Sequence, residues 1–429
     1  MTGLALGIDL GTSGVRSAVL DRSGDVVAMA RGSYGDNADD RRDPIRWWNA
    51  VSDCLDAQVV ALREAGVDPR AITGLAVDGT SGSLVLTDAS LEPVTRALMY
   101  DDGGFHEEAD KIAAVAPASH VARGPGSALA RALRLVTEDT RGRALHLLHQ
   151  ADFIACRFVG QGGWSDYNNA LKTGFDPKAE AWPDWISDLP MPATLLPHAK
   201  PPGYRIGHIT ARLAHRFGLS EEVAVHAGTT DSLAAFLAAA KPEPGAAVTS
   251  LGTTLAIKLH SEERIDDPAL GLYAHRLGDG WLVGGASNTG GGVLKSLFSD
   301  DDLARLSAEI DPKLESPCDF YPLCKPGERF PLNDPGLQPR LSPRPKNDAD
   351  FLHGILESIA RIEKQAYQVI ADRGALHPTQ VITAGGGARN QTWAAIRSRV
   401  LGVQVVEAEF AEAAVGAARL AGPAMRKSE

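Results

Sequence analysis

Gly7-Ile8-Asp9-Leu10-Gly11-Thr12-Ser13-Gly14-Val15-Arg16-Ser17-Ala18-Val19-Leu20-Asp21 reads as a strand, a glycine-bearing tight turn and a second strand, with a carboxylate just before the turn. Glycine lets the backbone approach a ligand, and successive N–H groups in such a turn cradle phosphate oxygens. Asp9 then faces the phosphates, where a carboxylate is repelled unless a divalent cation lies between. Mg²⁺ suits that place, because it keeps several waters and binds one or two carboxylates plus phosphate. A variant of the turn recurs at Ser250-Leu251-Gly252-Thr253-Thr254-Leu255-Ala256-Ile257, again between apolar runs. Alone, Asp-Leu-Gly-Thr is also an ordinary hairpin turn. Its repetition predicts a duplicated fold with a nucleotide held between the halves.

Working outward, Leu4 to Ile8, Val15 to Leu20 and Asp25 to Ala30 read as three strands joined by glycine-containing turns. Asp43-Pro44 supplies an N-cap and a first-turn proline. Trp47, Val51, Leu55, Val59 and Leu62 follow at helical spacing as far as Gly66, and Ile72 to Val77 is a further strand. Three strands, a helix and a strand open a ribonuclease-H-like, actin-like α/β domain. Residues 125 to 225 are less regular and read as elaborations. A strand at Val223 to Ala227 leads into Gly228-Thr229-Thr230-Asp231-Ser232 and a helix, and Lys241-Pro242-Glu243-Pro244-Gly245 is the best domain boundary. Residues 311 to 346 hold nine prolines and read as an extended surface segment. A long amphipathic helix follows, with Phe351, Leu352, Ile355, Ile359, Ile362, Ala366, Val369 and Ile370 on one face. After it come a strand into Ala384-Gly385-Gly386-Gly387, a helix from Thr392, a strand to Glu407 and a last helix.

At 429 residues, 44% apolar and 23% charged, the chain has the size and balance of a two-domain globular protein. A net charge of −11 argues against a nucleic-acid partner, whose affinity would come from Lys and Arg on phosphates. Cys54, Cys156, Cys318 and Cys324 lack metal-ligand spacing and read as reduced thiols of a cytoplasmic protein. No apolar run approaches membrane-spanning length, and the first strand starts too early for a leader peptide.

Asp231 is the candidate acid–base residue: at the start of a helix, it can accept a proton from an attacking hydroxyl. The alternative is a carboxylate that merely favours the helix dipole. The Gly385 to Gly387 run lacks dinucleotide-loop spacing and offers close backbone approach to a flat ligand. Gly285-Ala286-Ser287-Asn288-Thr289-Gly290-Gly291-Gly292 offers the same before a helix, whose free N-terminus would favour an anion. His149, His226 and His353 lie in apolar segments and read as packed residues rather than ligands.

These motifs together resemble the FGGY family of carbohydrate kinases over nearly the whole length. The two hairpins and the Gly228 to Ser232 stretch match in order, as do Gly327-Glu328-Arg329-Phe330-Pro331-Leu332-Asn333-Asp334-Pro335 and Asp166-Tyr167-Asn168-Asn169-Ala170-Leu171-Lys172-Thr173-Gly174-Phe175-Asp176. The segment from Gly385 to Trp393 resembles the family's adenosine motif. The short chain and Val77-Asp78-Gly79-Thr80-Ser81-Gly82 look most like the D-ribulose kinases of cyanobacteria and plants.

The resemblance implies two actin-like domains, a sugar-binding one over 1–240 and a nucleotide-binding one over 245–410. Their cleft would hold sugar and ATP·Mg²⁺, and a terminal helix within 411–429 would pack back on the first domain. It implies Asp231 as general base, and Gly11, Thr12, Ser13, Gly252 and Thr253 at the phosphates. Gly291, Gly386, Gly387, Asn390 and Trp393 would lie at the nucleotide, Asp9 at Mg²⁺ and sugar, and Asp78, Ser81 and Asp102 at the sugar. The implied reaction is ATP-dependent phosphorylation of a ketopentose, D-ribulose first, with xylulose or another polyol as alternatives, by a monomer or homodimer. A nucleotide-gated actin-like binding protein is the non-enzymatic alternative. The family's Trp-x-Asp-x-Arg is here Tyr100-Asp101-Asp102-Gly103-Gly104, without the arginine, and its lysine- and tryptophan-bearing signature is only Ala130-Arg131-Ala132-Leu133-Arg134.

Overall fold

A computed structural model describes residues 3–35, 41–118 and 120–422. The chain divides into two compact units. One comprises the residues up to Ala238 together with those from Glu412 onward, and the other is Ala239–Ala411.

The first unit opens with β1 (Leu4–Leu10), β2 (Gly14–Leu20) and β3 (Val26–Ser33), an antiparallel meander. α1 (Pro44–Glu64) starts where the capping signal predicts: the Asp43 side chain accepts from Ile45 N–H, and Pro44 fills the first turn. Its apolar stripe, from Trp47 to Leu62, covers the β2–β3 side of the sheet. β4 (Ile72–Gly79) then pairs parallel with β1. After β4, and through residues 125–225, the chain forms many short elements. They are β5 (Leu84–Thr87), α2 (His106–Val115), α3 (Ala128–Glu138), β6 (His146–His149), α4 (Gln150–Val159), β7 (Trp164–Asp166), α5 (Tyr167–Lys172), β8 (His198–Lys200), β9 (Arg205–His208) and α6 (Ala211–Phe217). β5 pairs with β6 and β7 with β8 as separate ribbons. β10 (Ala224–Thr230) returns to the main sheet parallel to β4, giving the order β3-β2-β1-β4-β10-β9, and α7 (Asp231–Ala239) follows it without a loop.

The second unit repeats the plan. β11 (Ala246–Leu251) and β12 (Leu255–Ser261) form the second hairpin, followed by β13 (Tyr273–Leu277), β14 (Gly280–Ser287), α8 (Gly291–Leu297) and α9 (Asp300–Glu309). After the proline-rich stretch come α10 (Asp348–Ala371), β15 (Gln380–Ala384), α11 (Gln391–Leu401) and β16 (Gln404–Glu407). The sheet order is β13-β14-β12-β11-β15-β16, with β11, β15 and β16 parallel. Apart from the added edge strands β9 and β13, both sheets carry the same arrangement: an antiparallel trio followed by two parallel strands. The proline-rich segment is more embedded than its composition predicts. Phe320, Leu323, Glu328 and Phe330 are buried there, with Phe320 and Phe330 joining the core of the second unit.

α12 (Ala413–Ala421) lies against β1, β2, β4 and β10 of the first sheet. Small residues allow the approach. A Cβ on Gly7 would stand 2.0 Å from the Ala414 carbonyl oxygen, and one on Gly416 1.8 Å from that of Ala234. All four cysteines are free thiols, and no helix among the described residues is long and apolar enough to cross a membrane.

Candidate active site

In the first unit three carboxylates stand at neighbouring strand ends. Asp9 is opposite Asp78 in the β1–β4 register, Thr229 is opposite Asp78 in the β4–β10 register, and Asp231 follows β10 as the first residue of α7. Gly228 makes the last placement possible. It sits at a register shift of β10, where a Cβ would come within 1.7 Å of the Val77 carbonyl oxygen. No larger residue lets β10 close on β4 at that level.

Asp9 is 3% exposed and takes a 3.3 Å hydrogen bond from Arg16 on β2. Burial raises its pKa, while Asp78 and Arg16 pull the other way. Asp78 is wholly buried, and no protein donor serves either of its oxygens. Of the two facing carboxylates, Asp78 is the one whose surroundings disfavour ionisation most. Burial, then the negative charges of Asp9 and Asp231, lift its pKa well above the carboxylate range. Asp78, expected at the sugar, is buried with neither carboxyl oxygen exposed. The Asp231 carboxylate accepts from Ser232 N–H at 2.6 Å and is partly exposed.

Gly11 N–H closes the first hairpin turn onto the Gly14 carbonyl at 3.0 Å, leaving Thr12 and Ser13 exposed. The Thr12 hydroxyl lies 3.4 Å from that of Tyr100. Ser81 is half-buried in the turn after β4. Both Asp102 oxygens are engaged, one by Arg42, just ahead of α1, at 2.6 Å and one by Met99 N–H of its own loop at 2.8 Å. Burial opposes ionisation there, yet these donors win and hold its pKa below the usual range. The Asp102 side chain is therefore a brace for the loop.

In the second unit, Gly252, Thr253 and Thr254 form the exposed turn between β11 and β12. The expected free helix N-terminus is not there. Gly291 and Gly292 N–H donate to the Gly252 and Thr253 carbonyls at 2.9 and 3.0 Å, so α8 is capped by the hairpin turn and cannot offer those groups to an anion. Gly291 is needed for that approach, since a Cβ would lie 2.7 Å from the Gly252 oxygen. Gly291, expected at the nucleotide, here packs against the Gly252–Thr253 turn.

The Gly385–Gly387 turn divides its labour. Nothing stands within 4 Å of a Cβ on Gly386, whereas one on Gly387 would meet Leu251 at 2.7 Å and the Trp393 ring at 2.9 Å. Trp393 is 1% exposed, with its indole N–H bonded to the Leu356 carbonyl. Asn390 caps α11 by accepting from Trp393 N–H and donates to Ser307. The Trp393 ring is thus buried against Gly387 and Asn390 is engaged in capping, while Gly386 keeps an open face.

Two features escaped the sequence reading. Glu328, buried in the proline-rich segment, accepts from Ser287 Oγ and Asn288 N–H, both at 2.6 Å, and from the Tyr321 hydroxyl at 3.0 Å. It fixes the loop that leads into α8. Below the turns, Arg397 of α11 meets both oxygens of Glu363 on α10 at 2.7 Å and Thr383 of β15 at 2.6 Å, while Thr249 of β11 donates to Glu363 at 2.5 Å.

A metal can be tested against these groups. Among the described residues, no three His, Cys, Asp or Glu side chains converge into a protein-only cage. Mg²⁺ does not require one. A single buried carboxylate beside a phosphate turn is the donor set it accepts when phosphates and waters complete the shell, and Asp9 fits.

Duplicated sheets, each with a glycine-threonine turn between its first two strands, and an acid at an adjacent strand end define a phosphotransferase of the actin-like ATPase class. The chain belongs to the FGGY family of carbohydrate kinases, matching its N-terminal domain over residues 4–238 and its C-terminal domain over 247–425. It is thus an ATP-dependent sugar kinase acting on a hydroxyl group. Among curated relatives, the xylulose kinases of Escherichia coli K12 and Streptomyces coelicolor are 26% and 27% identical, over 97% and 98% of this chain and 89% and 88% of theirs. Among solved structures, a xylulose kinase from Rhodospirillum rubrum superimposes with a TM-score of 0.80 at 22% identity, over 97% of this chain and 89% of that one. A Plasmodium falciparum glycerol kinase with ADP reaches 0.82 at 15% identity, over 98% and 89%.

Proposed function

We propose that the chain transfers the γ-phosphoryl group of ATP to the terminal hydroxyl of a ketopentose. The observation that carries this reading is the row of strand ends holding Asp9 and Asp231 beside the Gly11–Ser13 turn. Asp231 accepts the hydroxyl proton as the oxygen attacks. The backbone of the Gly11–Ser13 and Gly252–Thr253 turns holds phosphate oxygens, and the open Gly386 face lies along the nucleotide. Mg²⁺ would be held by Asp9 and would neutralise charge on the phosphates. Phosphoryl transfer asks mainly for such positioning and neutralisation. Ser81 and the margin of Asp102 would border the acceptor.

D-ribulose is the first acceptor, from the resemblance of Val77–Gly82 to short ribulose kinases. Xylulose is the second reading, favoured by what the curated relatives are called. Sugar-dependent ADP release across D-ribulose, D-xylulose, L-ribulose, xylitol and glycerol separates these. Asp231→Ala should lower turnover by about 10²–10⁴-fold with ATP affinity within about twofold. Near-normal turnover removes the base assignment, and ADP release indifferent to every sugar removes the kinase reading.

A further inference from the structure

Arg131, on α3 of the first unit, is 4% exposed, yet its guanidinium donates to four backbone carbonyls rather than to a carboxylate. Nε donates to Asp102 at 3.0 Å, Nη1 to Gly82 at 3.0 Å, and Nη2 to Gly126 at 2.8 Å and to Tyr100. Burying a guanidinium costs heavily unless its N–H groups are all used, and only arginine offers five in a planar fork. The four acceptors belong to three separate loops: the turn after β4, residues 99–104, and the residues before α3.

Those loops carry the acceptor side of the site. Gly82 follows Ser81. Asp102 is bound from the other side by Arg42. Tyr100 also donates its N–H to Ser83 Oγ at 3.0 Å, and its phenol, 41% exposed, stands beside Thr12 of the phosphate turn. No arginine lies within Tyr100–Gly104 itself; Arg41 and Arg42 hold its two carboxylates, and Arg131 of α3 holds its backbone.

We infer that Arg131 is a positioning residue for the acceptor. By holding the carbonyls of Gly82, Tyr100, Asp102 and Gly126 in one plane, it sets Ser81 and the Tyr100 phenol against the sugar and selects among pentuloses. The inference rests on the sugar-kinase reading of the site. It locates specificity in loop geometry imposed from α3 rather than in a charged side chain that touches the sugar.

The test uses the full chain with Arg131→Met and Arg131→Lys. Lysine keeps the charge but presents its donors from one point and cannot serve four carbonyls around a fork. It also supplies the comparison should the methionine variant fail to fold. With the best acceptor of the wild type, Arg131→Met should raise the sugar KM tenfold or more and flatten the preference between the two best pentuloses. The KM for ATP should stay within twofold, and Arg131→Lys should fall between. Hydrogen exchange should quicken tenfold or more in 81–84, 100–105 and 123–128, with β1 and β4 unchanged. Unchanged sugar KM and preference overturn the inference, as does unchanged exchange in the three loops. Loss of protection across β1 and β4, with both KM values rising together, reduces Arg131 to a fold residue and also overturns it. A wild type that phosphorylates no sugar defeats the kinase reading instead, while the exchange comparison still decides whether Arg131 holds the loops.

Discussion

Replacing Arg397 by methionine isolates the energetics beneath the Gly252–Thr254 and Gly385–Gly387 turns. Arg397 and Glu363 are 1% and 0% exposed, and Arg397 satisfies both Glu363 oxygens. Burial disfavours its charge, but Glu363 outweighs that and holds the guanidinium ionised. In Arg397→Met the Glu363 carboxylate keeps only the Thr249 hydroxyl as a donor in an apolar interior. Breaking a buried pair from one side costs about 3–5 kcal/mol, a large share of the roughly 5–15 kcal/mol that holds a domain. Removing both charges in Arg397→Met/Glu363→Leu costs less. Thr249 and Tyr367 still bond each other at 2.8 Å, and the Thr249 and Thr383 hydroxyls each lose one partner, together worth about 1–2 kcal/mol. The double variant should therefore be more stable than the single one by about 2–3 kcal/mol, as the difference of those two estimates. Urea titration followed by tryptophan emission reads this, and on the proposed nucleotide site ADP should shift the second unit's transition. A single variant within about 1 kcal/mol of wild type, or a double variant no better than the single, refutes the reasoning.

Gly387→Ala should cost about 1–3 kcal/mol through overpacking against Leu251 and Trp393. Gly386→Ala should leave stability within about 0.5 kcal/mol while weakening ADP binding. Melting curves with and without ADP decide, and wild-type ADP affinity in Gly386→Ala would remove that residue from the nucleotide surface. His149 is 1% exposed with neither ring nitrogen bonded, and burial, then Arg131 and Lys172, push its pKa down to about 3. Below its unfolded value of about 6.5 the unfolded chain takes up a proton the native state refuses, so this contribution is full above that pH and is lost as pH falls towards 3. Relative to His149→Leu, wild type should lose about 2 kcal/mol between pH 6.5 and 5, and a pH-independent gap between the two refutes this.

The hairpins and the long helix α10 were legible because each is written locally, by period-two alternation around a glycine turn or by an apolar stripe at helical spacing. What periodicity hides is charge inside a stripe. Glu363 lies four residues after Ile359, and Arg397 four after Trp393, each on the buried face of its helix. A charged residue at an apolar position was the available signal, but its partner is on another helix and no spacing names it. Asn390 and Trp393 failed differently, since sequence places them at the turn without saying which way they point. α8 failed because its first N–H groups depend on what packs before them, here the carbonyls of a hairpin about forty residues earlier. Arg131 was visible only as a departure from a pattern, its acceptors being backbone atoms that no side-chain motif records.

The seating of α12 on the first sheet bears on how the chain is made. The second unit is contiguous, so it holds all its parts once residue 411 has emerged from the ribosome. The first unit, although translated earlier, keeps the apolar face around Gly7 and Gly74 bare until α12 arrives. At roughly 5–20 residues per second the intervening Ala239–Ala411 takes on the order of 10–30 s to synthesise. During that interval the strand ends bearing Asp9, Asp78 and Asp231 belong to an unfinished sheet, and the half begun first is the half completed last.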